Sequence, residues 1–236
     1  MPRHVGLILD GNRRHAREQR ITNPREVYGL GADKVIEVLE WCAELGIKVV
    51  TLWVLSTDNL NRSTEETSNI LAAIETKMRQ LVKEPEIHHR KVKVRASGRL
   101  DVLPASVAEA IETATRATEG YDSMCINIAV AYGGREEIID AVRQLLLEQE
   151  KRGKTLAAVA SELTTADITG HLYSGDLPDP DLIIRTSGEL RLSGFLLWQS
   201  VYSEFYFSDV YWPAFRRIDF LRAIRSFQQR KRRFGR

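Results

Sequence analysis

Cysteine, long apolar runs and common catalytic motifs are scarce or absent in this chain. The two cysteines, Cys42 and Cys125, lie far apart among apolar neighbours, which is typical of buried thiols rather than of disulfides or metal ligands. No apolar run approaches the roughly 18 residues of a membrane span, and the first residues lead into a strand-like segment without a signal-peptide pattern. We therefore expect a cytoplasmic protein.

Several enzyme classes lack their usual motifs here. The sequence has no P-loop, no GxGxxG after its first strand-like segment, no Cys/His metal cluster and no nucleophile elbow. Nucleotide-loop enzymes, dehydrogenases and hydrolases are therefore disfavoured.

Charge is unevenly distributed along the 236 residues. The segment 216–236 is a basic C-terminal arm with nine Lys/Arg and one Asp, whereas the rest of the chain has a net charge of −6. The arm is either a solvated helix face or a contact for phosphate groups, nucleic acid or an anionic membrane. Because Phe220, Phe227 and Phe234 recur at helical spacing and suit packing, we expect no nucleic-acid binding.

Apolar segments alternate with helical patterns along the whole chain. The strand-like segments are 5–9, 47–55, 92–96, 125–131, 182–184 and 205–207. The helical patterns are 32–45, 65–83, 105–119, 136–151 and 219–233. Because parallel strands need crossover helices, this alternation predicts an α/β protein, a single domain of residues 1–236 with a central, mostly parallel six-stranded sheet flanked by helices.

The first strand-like segment is followed by a possible anion site. Asp10, Gly11, Asn12, Arg13 and Arg14 stand where a helix begins, so free backbone N–H groups and two guanidiniums can face a ligand. The alternative is an ordinary helix cap with solvated arginines.

Similar residues follow two other strand-like segments. They are Ser56, Thr57, Asn59 and Arg62 after 47–55, and Arg185, Arg191, Leu192 and Ser193 after 182–184. The first group can also simply close a turn, and Arg185 can pair with an internal carboxylate such as Glu189. Ligands of open α/β sheets bind at the carboxyl ends of the strands, where all three groups are expected to meet.

This composition suits polyanions together with a hard cation. Arginine binds phosphate oxygens bidentately, and Mg²⁺ takes one or two carboxylates and completes its shell with phosphate oxygens and water. Asp10, with Glu204 at the start of the last strand-like segment, can supply those carboxylates. Diphosphate with Mg²⁺ is the simplest ligand of this kind.

The motifs together resemble those of the cis-prenyltransferases, the undecaprenyl diphosphate synthase family. The resemblance runs from residue 4 to the C-terminus and rests on segments 10–14, 56–62, 132–135, 184–193, 195–199, Glu204 and 232–235. It implies a Mg²⁺-dependent homodimer that joins isopentenyl diphosphate to an allylic diphosphate, such as geranyl or dimethylallyl diphosphate, in a Z configuration. It also implies an apolar tunnel and possible peripheral contact with a membrane.

The resemblance assigns roles residue by residue. Asp10 and Glu204 would hold the metal, and Asp10 and Asn59 would be catalytic. The substrate-binding residues would be Gly11, Asn12, Arg13, Arg14, Ser56, Thr57, Arg62, Arg185, Arg191, Leu192 and Ser193, with Arg233 and Gly235 reaching across the dimer to a diphosphate.

Four positions depart from the family pattern: His15, Tyr28 and Leu60 bear on substrate choice, and Val54 together with Leu60 bears on product length. His15 and Leu60 replace usual tryptophans, Tyr28 replaces a histidine, and Val54 replaces the alanine typical of long-chain members. A larger residue at 54 would narrow the tunnel, which indicates a short product such as (2Z,6E)-farnesyl diphosphate. The alternatives are a medium- or long-chain synthase, irregular coupling of two five-carbon units, or a non-catalytic subunit of a heteromeric synthase.

Overall fold

The computed structural model describes residues 1–230, except the side chains of Pro24 and Arg25. These residues form strands β1 (His4–Ile8), β2 (Val49–Trp53), β3 (Val92–Ser97), β4 (Met124–Ala129), β5 (Leu182–Arg185) and β6 (Glu204–Phe207). The α-helices are α1 (Asn12–Glu18), α2 (Pro24–Glu44), α3 (Thr64–Leu81), α4 (Pro85–His89), α5 (Ala105–Ala117), α6 (Gly134–Lys151), α7 (Leu156–Glu162), α8 (Thr165–His171) and α9 (Arg217–Gln229).

The six strands form one sheet in the order β3-β4-β2-β1-β5-β6. Each neighbouring pair is parallel, which confirms the α/β class and makes the sheet entirely rather than mostly parallel. From β1 the chain first builds the β2 side of the sheet and later returns to add β5 and β6 on the other side. The carboxyl ends of β1 and β5 therefore flank the switch point of the fold, where ligands of such sheets bind.

Helices α2 and α3 cover the sheet beside this switch point. Helix α3 begins after Ser63, whose side chain accepts a hydrogen bond from the Glu66 N–H and so satisfies one free donor of the first turn. Its apolar face carries Ile70, Ile74 and Met78, all of which are buried. Between these helices and the sheet lies a cavity of about 740 Å³, which is where the expected apolar tunnel would lie. Within residues 1–230, none of the helices combines the length and apolarity needed to cross a bilayer.

A buried polar row crosses the amino half of the sheet. His4 Nδ1 lies 2.6 Å from the Pro178 carbonyl, which can only accept, so Nδ1 carries the proton. His4 Nε2, at 2.8 Å from Thr51 Oγ1, then accepts from that hydroxyl. Asn127 lies beside Thr51 on β4. Burial lowers the pKa of His4, against smaller opposing effects of the Pro178 carbonyl and the Asp181 charge.

His4 should make the protein less stable in acid. Below its ordinary pKa of about 6.5 the unfolded chain binds a proton that the folded chain does not, so the free energy of unfolding falls by up to about 1.4 kcal/mol per pH unit. The neutral variant His4→Gln should lose this contribution. Because His171 has a raised pKa and acts in the opposite direction, the measurement is the difference between the two proteins in urea unfolding at pH 5 and pH 7.5. A difference that does not change with pH would contradict a neutral, buried His4.

Candidate active site

An ion pair joins the two strands at the switch point. Asp10 follows β1, and its Oδ2 accepts from Nη2 of Arg185, the last residue of β5, at 2.8 Å. Arg185 is only 5% exposed, so its charge requires an anionic partner. That partner is Asp10 rather than Glu189. The carboxylate of Asp10 also accepts from Arg14 Nη2 at 3.3 Å.

Asp10 is held in its ionised form. Burial alone would raise its pKa, but hydrogen bonds from Arg185 and Ser187 and the charges of Arg185 and Arg14 hold the pKa below its usual value. Its side chain is 30% exposed and lines the cavity. A charged carboxylate is therefore available to a cation at this position.

The second η-nitrogen of Arg185 fixes the loop that follows β5. Arg185 Nη1 donates to the Arg191 carbonyl at 2.5 Å and to Ser193 Oγ at 2.8 Å. Ser193 and Gly194 have φ angles of 53° and 95°, and the Gly194 carbonyl accepts from the Gly134 N–H at 2.9 Å. Arg185 Nε is buried without an acceptor among the described residues. The loop is thus shaped around a guanidinium that retains a free donor.

Arg14 approaches the same loop from helix α1. Its Nη2 donates to Ser187 Oγ at 2.7 Å and its Nη1 donates to Glu189 Oε1 at 3.1 Å, while its guanidinium lies 5.6 Å from the centre of the Tyr211 ring. Glu189 also forms an ion pair with Arg191. One carboxylate therefore holds two cavity-lining arginines in place.

The turn between β1 and α1 requires glycine. Gly11 has φ 105°, and a Cβ there would stand 2.7 Å from the Tyr211 side chain. Asn12 Nδ2 donates to the Leu9 carbonyl at 2.9 Å, whereas Asn12 Oδ1 is buried without a partner among the described residues. Gly31 on α2 leaves room for that oxygen, because a Cβ at 31 would lie 2.4 Å from it. Close packing therefore sets the start of α1.

The residues after β2 form a short 3-10 helix, Asp58–Asn61. The Asn59 N–H donates to Ser56 Oγ at 3.1 Å. With the Asn59 amide oriented to satisfy its neighbours, its oxygen accepts from Arg62 Nη2 at 2.8 Å. Thr57 donates through its backbone N–H to the Tyr132 carbonyl. Ser56, Asn59 and Arg62 line the cavity, so this turn is part of the site.

Glu66 contacts three side chains at the cavity mouth. It accepts from Arg62 Nη1 at 2.8 Å and from the Tyr28 hydroxyl at 3.0 Å, and it lies 3.5 Å from Arg13 Nε. Burial and the Glu66 charge raise the pKa of Tyr28 to about 12, which keeps the phenol a neutral donor. This cluster ties α2 to α3 beside the arginines.

Most residues predicted from the sequence meet at this cavity. Those that line it are Asp10, Gly11, Asn12, Arg13, Arg14, Ser56, Asn59, Arg62, Arg185, Arg191 and Ser193. Thr57 contributes its backbone, and Leu192 packs against the Phe195 cluster of the core. Of the two positions linked to product length, Val54 lines the cavity, and Leu60 packs against the main core.

Three predicted residues are not brought to the site by the described chain. Glu204 opens β6 opposite Leu182, at the amino end of the sheet, and its carboxylate is paired with Arg230. Because β6 runs parallel to β5, its first residue lies at the opposite end of the sheet from Asp10. Within one chain Glu204 therefore does not join Asp10 at a metal site. Arg233 and Gly235 lie outside the described residues.

Sequence reasoning missed the structural role of two carboxylates. Glu66 follows Arg62 by four residues, but Arg62 is extended and precedes α3, so helical spacing alone does not predict their ion pair. Glu189 was considered only as a partner of Arg185, and its pairing with Arg14 depends on a contact between residues 175 apart in sequence. No sequence signal indicates that contact.

Comparison with known proteins identifies the family. Residues 8–235 match the family model described as putative undecaprenyl diphosphate synthase. The chain is 57% identical over 236 residues to an isoprenyl transferase of Deinococcus radiodurans, which covers all of this chain and 85% of that protein. It is 55% identical over 234 residues to a (2Z,6E)-farnesyl diphosphate synthase of Thermobifida fusca, with 99% and 90% of the two chains covered.

A solved structure shows the same fold. The lavandulyl diphosphate synthase of Lavandula x intermedia, determined in complex with dimethylallyl diphosphate, superposes with a TM-score of 0.93 at 34% identity, over 100% of this chain and 98% of that one. The full-length match of sequence and fold, together with the arginine-lined cavity at the switch point, shows that this chain belongs to the undecaprenyl diphosphate synthase family of prenyltransferases.

Proposed function

We propose that this protein condenses isopentenyl diphosphate with an allylic diphosphate to give a Z-prenyl diphosphate. The observation that carries the proposal is the cavity itself. Its mouth holds Asp10 and a group of arginines, and its interior is apolar. An amphipathic ligand with a doubly anionic head and a hydrocarbon tail matches both parts.

The chemistry requires charge stabilisation at the mouth. When the allylic C–O bond breaks, its electron pair leaves with the diphosphate, and the allylic carbon is attacked by the double bond of isopentenyl diphosphate, which then loses a proton. Arg14 and the N–H groups that open α1 would hold the leaving diphosphate, while Arg185, Arg191 and Ser193 would hold isopentenyl diphosphate. Asn59, fixed by Ser56 and Arg62, would orient the isopentenyl unit and its departing proton.

The residues at the mouth fit Mg²⁺. Among residues 1–230 no cluster of three or more His, Cys, Asp or Glu side chains could hold a metal, but Mg²⁺ commonly uses one or two carboxylates and takes its other ligands from phosphates and water. The ionised, cavity-facing Asp10 would hold it together with diphosphate oxygens. Bound there, Mg²⁺ would neutralise charge on the leaving group.

The apolar interior favours a short product. Val54 lines the cavity together with Leu52 and Ile128, where it would leave less space than an alanine, and the Thermobifida relative is named a (2Z,6E)-farnesyl diphosphate synthase. The family model is described by a long-chain synthase, and the solved neighbour by lavandulyl diphosphate, so long-chain elongation and irregular coupling are the alternatives. The complete polar mouth argues against a non-catalytic subunit.

We further propose that the active form is a homodimer in the cytoplasm. The homodimer rests on the resemblance alone, which also assigns Arg233 and Gly235 to a contact across the dimer. Sedimentation of the full chain should give twice the monomer mass of 26.9 kDa. The open apolar cavity would supply the peripheral membrane contact through which a prenyl product could leave.

Turnover with defined substrates tests the reaction and the product length together. The protein is incubated with labelled isopentenyl diphosphate and dimethylallyl, geranyl or farnesyl diphosphate, with Mg²⁺ or with excess chelator, and products are analysed by mass spectrometry and NMR. We expect a fifteen-carbon Z,E product from the geranyl primer, formed only with the metal. A product of fifty or more carbons would rule out the short-chain proposal, and no product from any primer would rule out the reaction.

A further inference from the structure

One charged residue interrupts the apolar wall that α3 presents to the cavity. The α3 residues in this wall are Ile70, Ala73, Ile74, Lys77, Met78 and Leu81, a spacing that places them on one helical face. Lys77 is the only one with a charge. It follows Glu66, at the polar mouth, by eleven residues, which is roughly 16 Å along the helix axis. A cation thus stands beside the part of the cavity suited to a hydrocarbon tail.

Lys77 is held by a carboxylate on the opposite helix. Its Nζ lies 2.6 Å from Oδ1 of Asp33 on α2. The Lys77 side chain is 25% exposed and that of Asp33 is 69% exposed, so the methylene stem lies along the wall while the ammonium group reaches water. Asp33 itself is outside the cavity lining. The ion pair therefore spans the gap between the two helices that enclose the cavity.

Small residues flank this gap on both helices. Ala32 on α2 and Ala73 on α3 line the cavity next to the ion pair, and neither side chain is long enough to bridge the two helices. At the height of Ala32 and Ala73 along the two helices, the stem of Lys77 is longer than either alanine side chain. Its displacement would leave only short side chains at this level between α2 and α3.

Displacing Lys77 has a small cost that offsets part of the free energy gained by burying a longer prenyl tail. Exposed ion pairs contribute little to stability because water screens them. Burial of further apolar surface is favourable in proportion to its area. A tail that grows past Ala73 can therefore compete with the Lys77 stem for this part of the wall.

We propose that Lys77, held by Asp33, is the displaceable part of the cavity wall and limits the length of the prenyl chain. The inference rests on the proposed function, because it takes the tail of a prenyl diphosphate as the occupant of the cavity. Product length would then depend on the Lys77–Asp33 pair on α2 and α3 as well as on Val54, which lies on the β2 side of the cavity.

Product length and ligand binding test the pair separately. With geranyl and isopentenyl diphosphates, Lys77→Ala should give a main product at least one five-carbon unit longer than the wild type, and Asp33→Asn should shift the distribution in the same direction. Saturated alkyl diphosphates cannot react, so their affinity shows how long a tail the cavity accepts without any turnover. By calorimetry, Lys77→Ala should bind the twenty-carbon compound roughly tenfold more tightly than the wild type does, with little change for the ten-carbon compound.

Two variants serve as controls. Lys77→Arg retains both a long unbranched stem and a cation for Asp33 and should keep the wild-type product, and Glu37→Gln breaks the 2.8 Å ion pair with Lys34 on α2, which does not span the helices. The proposal is overturned if Lys77→Ala leaves both readouts unchanged, or if either control lengthens the product as much. A wild type that binds alkyl diphosphates without turnover would refute the proposed reaction, while the binding series would still decide the role of Lys77.

Discussion

Replacement of Asp10 by alanine is expected to lower kcat by about 10³-fold, because the variant lacks the carboxylate that would hold Mg²⁺ against the leaving diphosphate. The loss should appear in kcat more than in KM, since the charge on the diphosphate grows as the C–O bond breaks. Arg185 loses its anionic partner but keeps two neutral acceptors, the Arg191 carbonyl and Ser193 Oγ, so the variant should be less stable than the wild type but still folded. Steady-state kinetics with isopentenyl and geranyl diphosphates measures the effect, and thermal unfolding shows whether the variant is folded.

Asp58→Asn is the matched control for this prediction. Asp58 also lines the cavity and is exposed, but it lies on the 3-10 helix after β2 rather than at the switch point. Its loss should change kcat by no more than about twofold, as is usual for an exposed charge that has no close partner within residues 1–230. Near-normal turnover in Asp10→Ala, or an equal loss in Asp58→Asn, would refute the role given to Asp10.

The strands were predictable because a sheet covered on both faces accepts few residue types other than apolar ones. In a parallel sheet covered on both faces, strands such as β1 and β5 are apolar at nearly every position, and in the structure they are buried along their length. The helix ends followed local signals that act over a few residues, such as the Ser63 cap of α3. Short helices such as α4 and α7 are not predicted from the sequence, because five to seven residues show too little periodicity.

The polar mouth was predictable in its members but not in its pairing. The rule that ligands gather at the carboxyl ends of strands brought Asp10, Asn59 and Arg185 together correctly, since it depends only on strand direction. It could not assign the partner of each arginine, because the Arg185–Asp10 and Arg14–Glu189 pairs each join residues 175 apart in sequence. Glu204 was grouped with Asp10 by motif, although its place at the first residue of a parallel strand puts it at the other end of the sheet.

Arg185→Lys should lower kcat/KM for isopentenyl diphosphate by roughly 10³-fold, or about 4 kcal/mol, even though the charge is retained. The guanidinium fork of Arg185 serves Asp10, the Arg191 carbonyl and Ser193 Oγ at once, and a lysine ammonium cannot reproduce that planar set of donors. The loop that carries Arg191 and Ser193 would then lose its fixed position. Kinetics at saturating allylic diphosphate measures the effect on the isopentenyl site.

The same substitution should also change the pH dependence of the reaction. The hydrogen bond and charge of Arg185 hold the pKa of Asp10 low, so a weaker partner raises it, and the acid limb of the kcat/KM profile moves to higher pH. Arg17→Lys is the control, because Arg17 lines the same cavity but is exposed, and it should change kcat/KM by no more than a few fold. If Arg185→Lys is folded and its acid limb does not move, Arg185 does not control the pKa of Asp10. The switch-point ion pair would then have no part in the reaction.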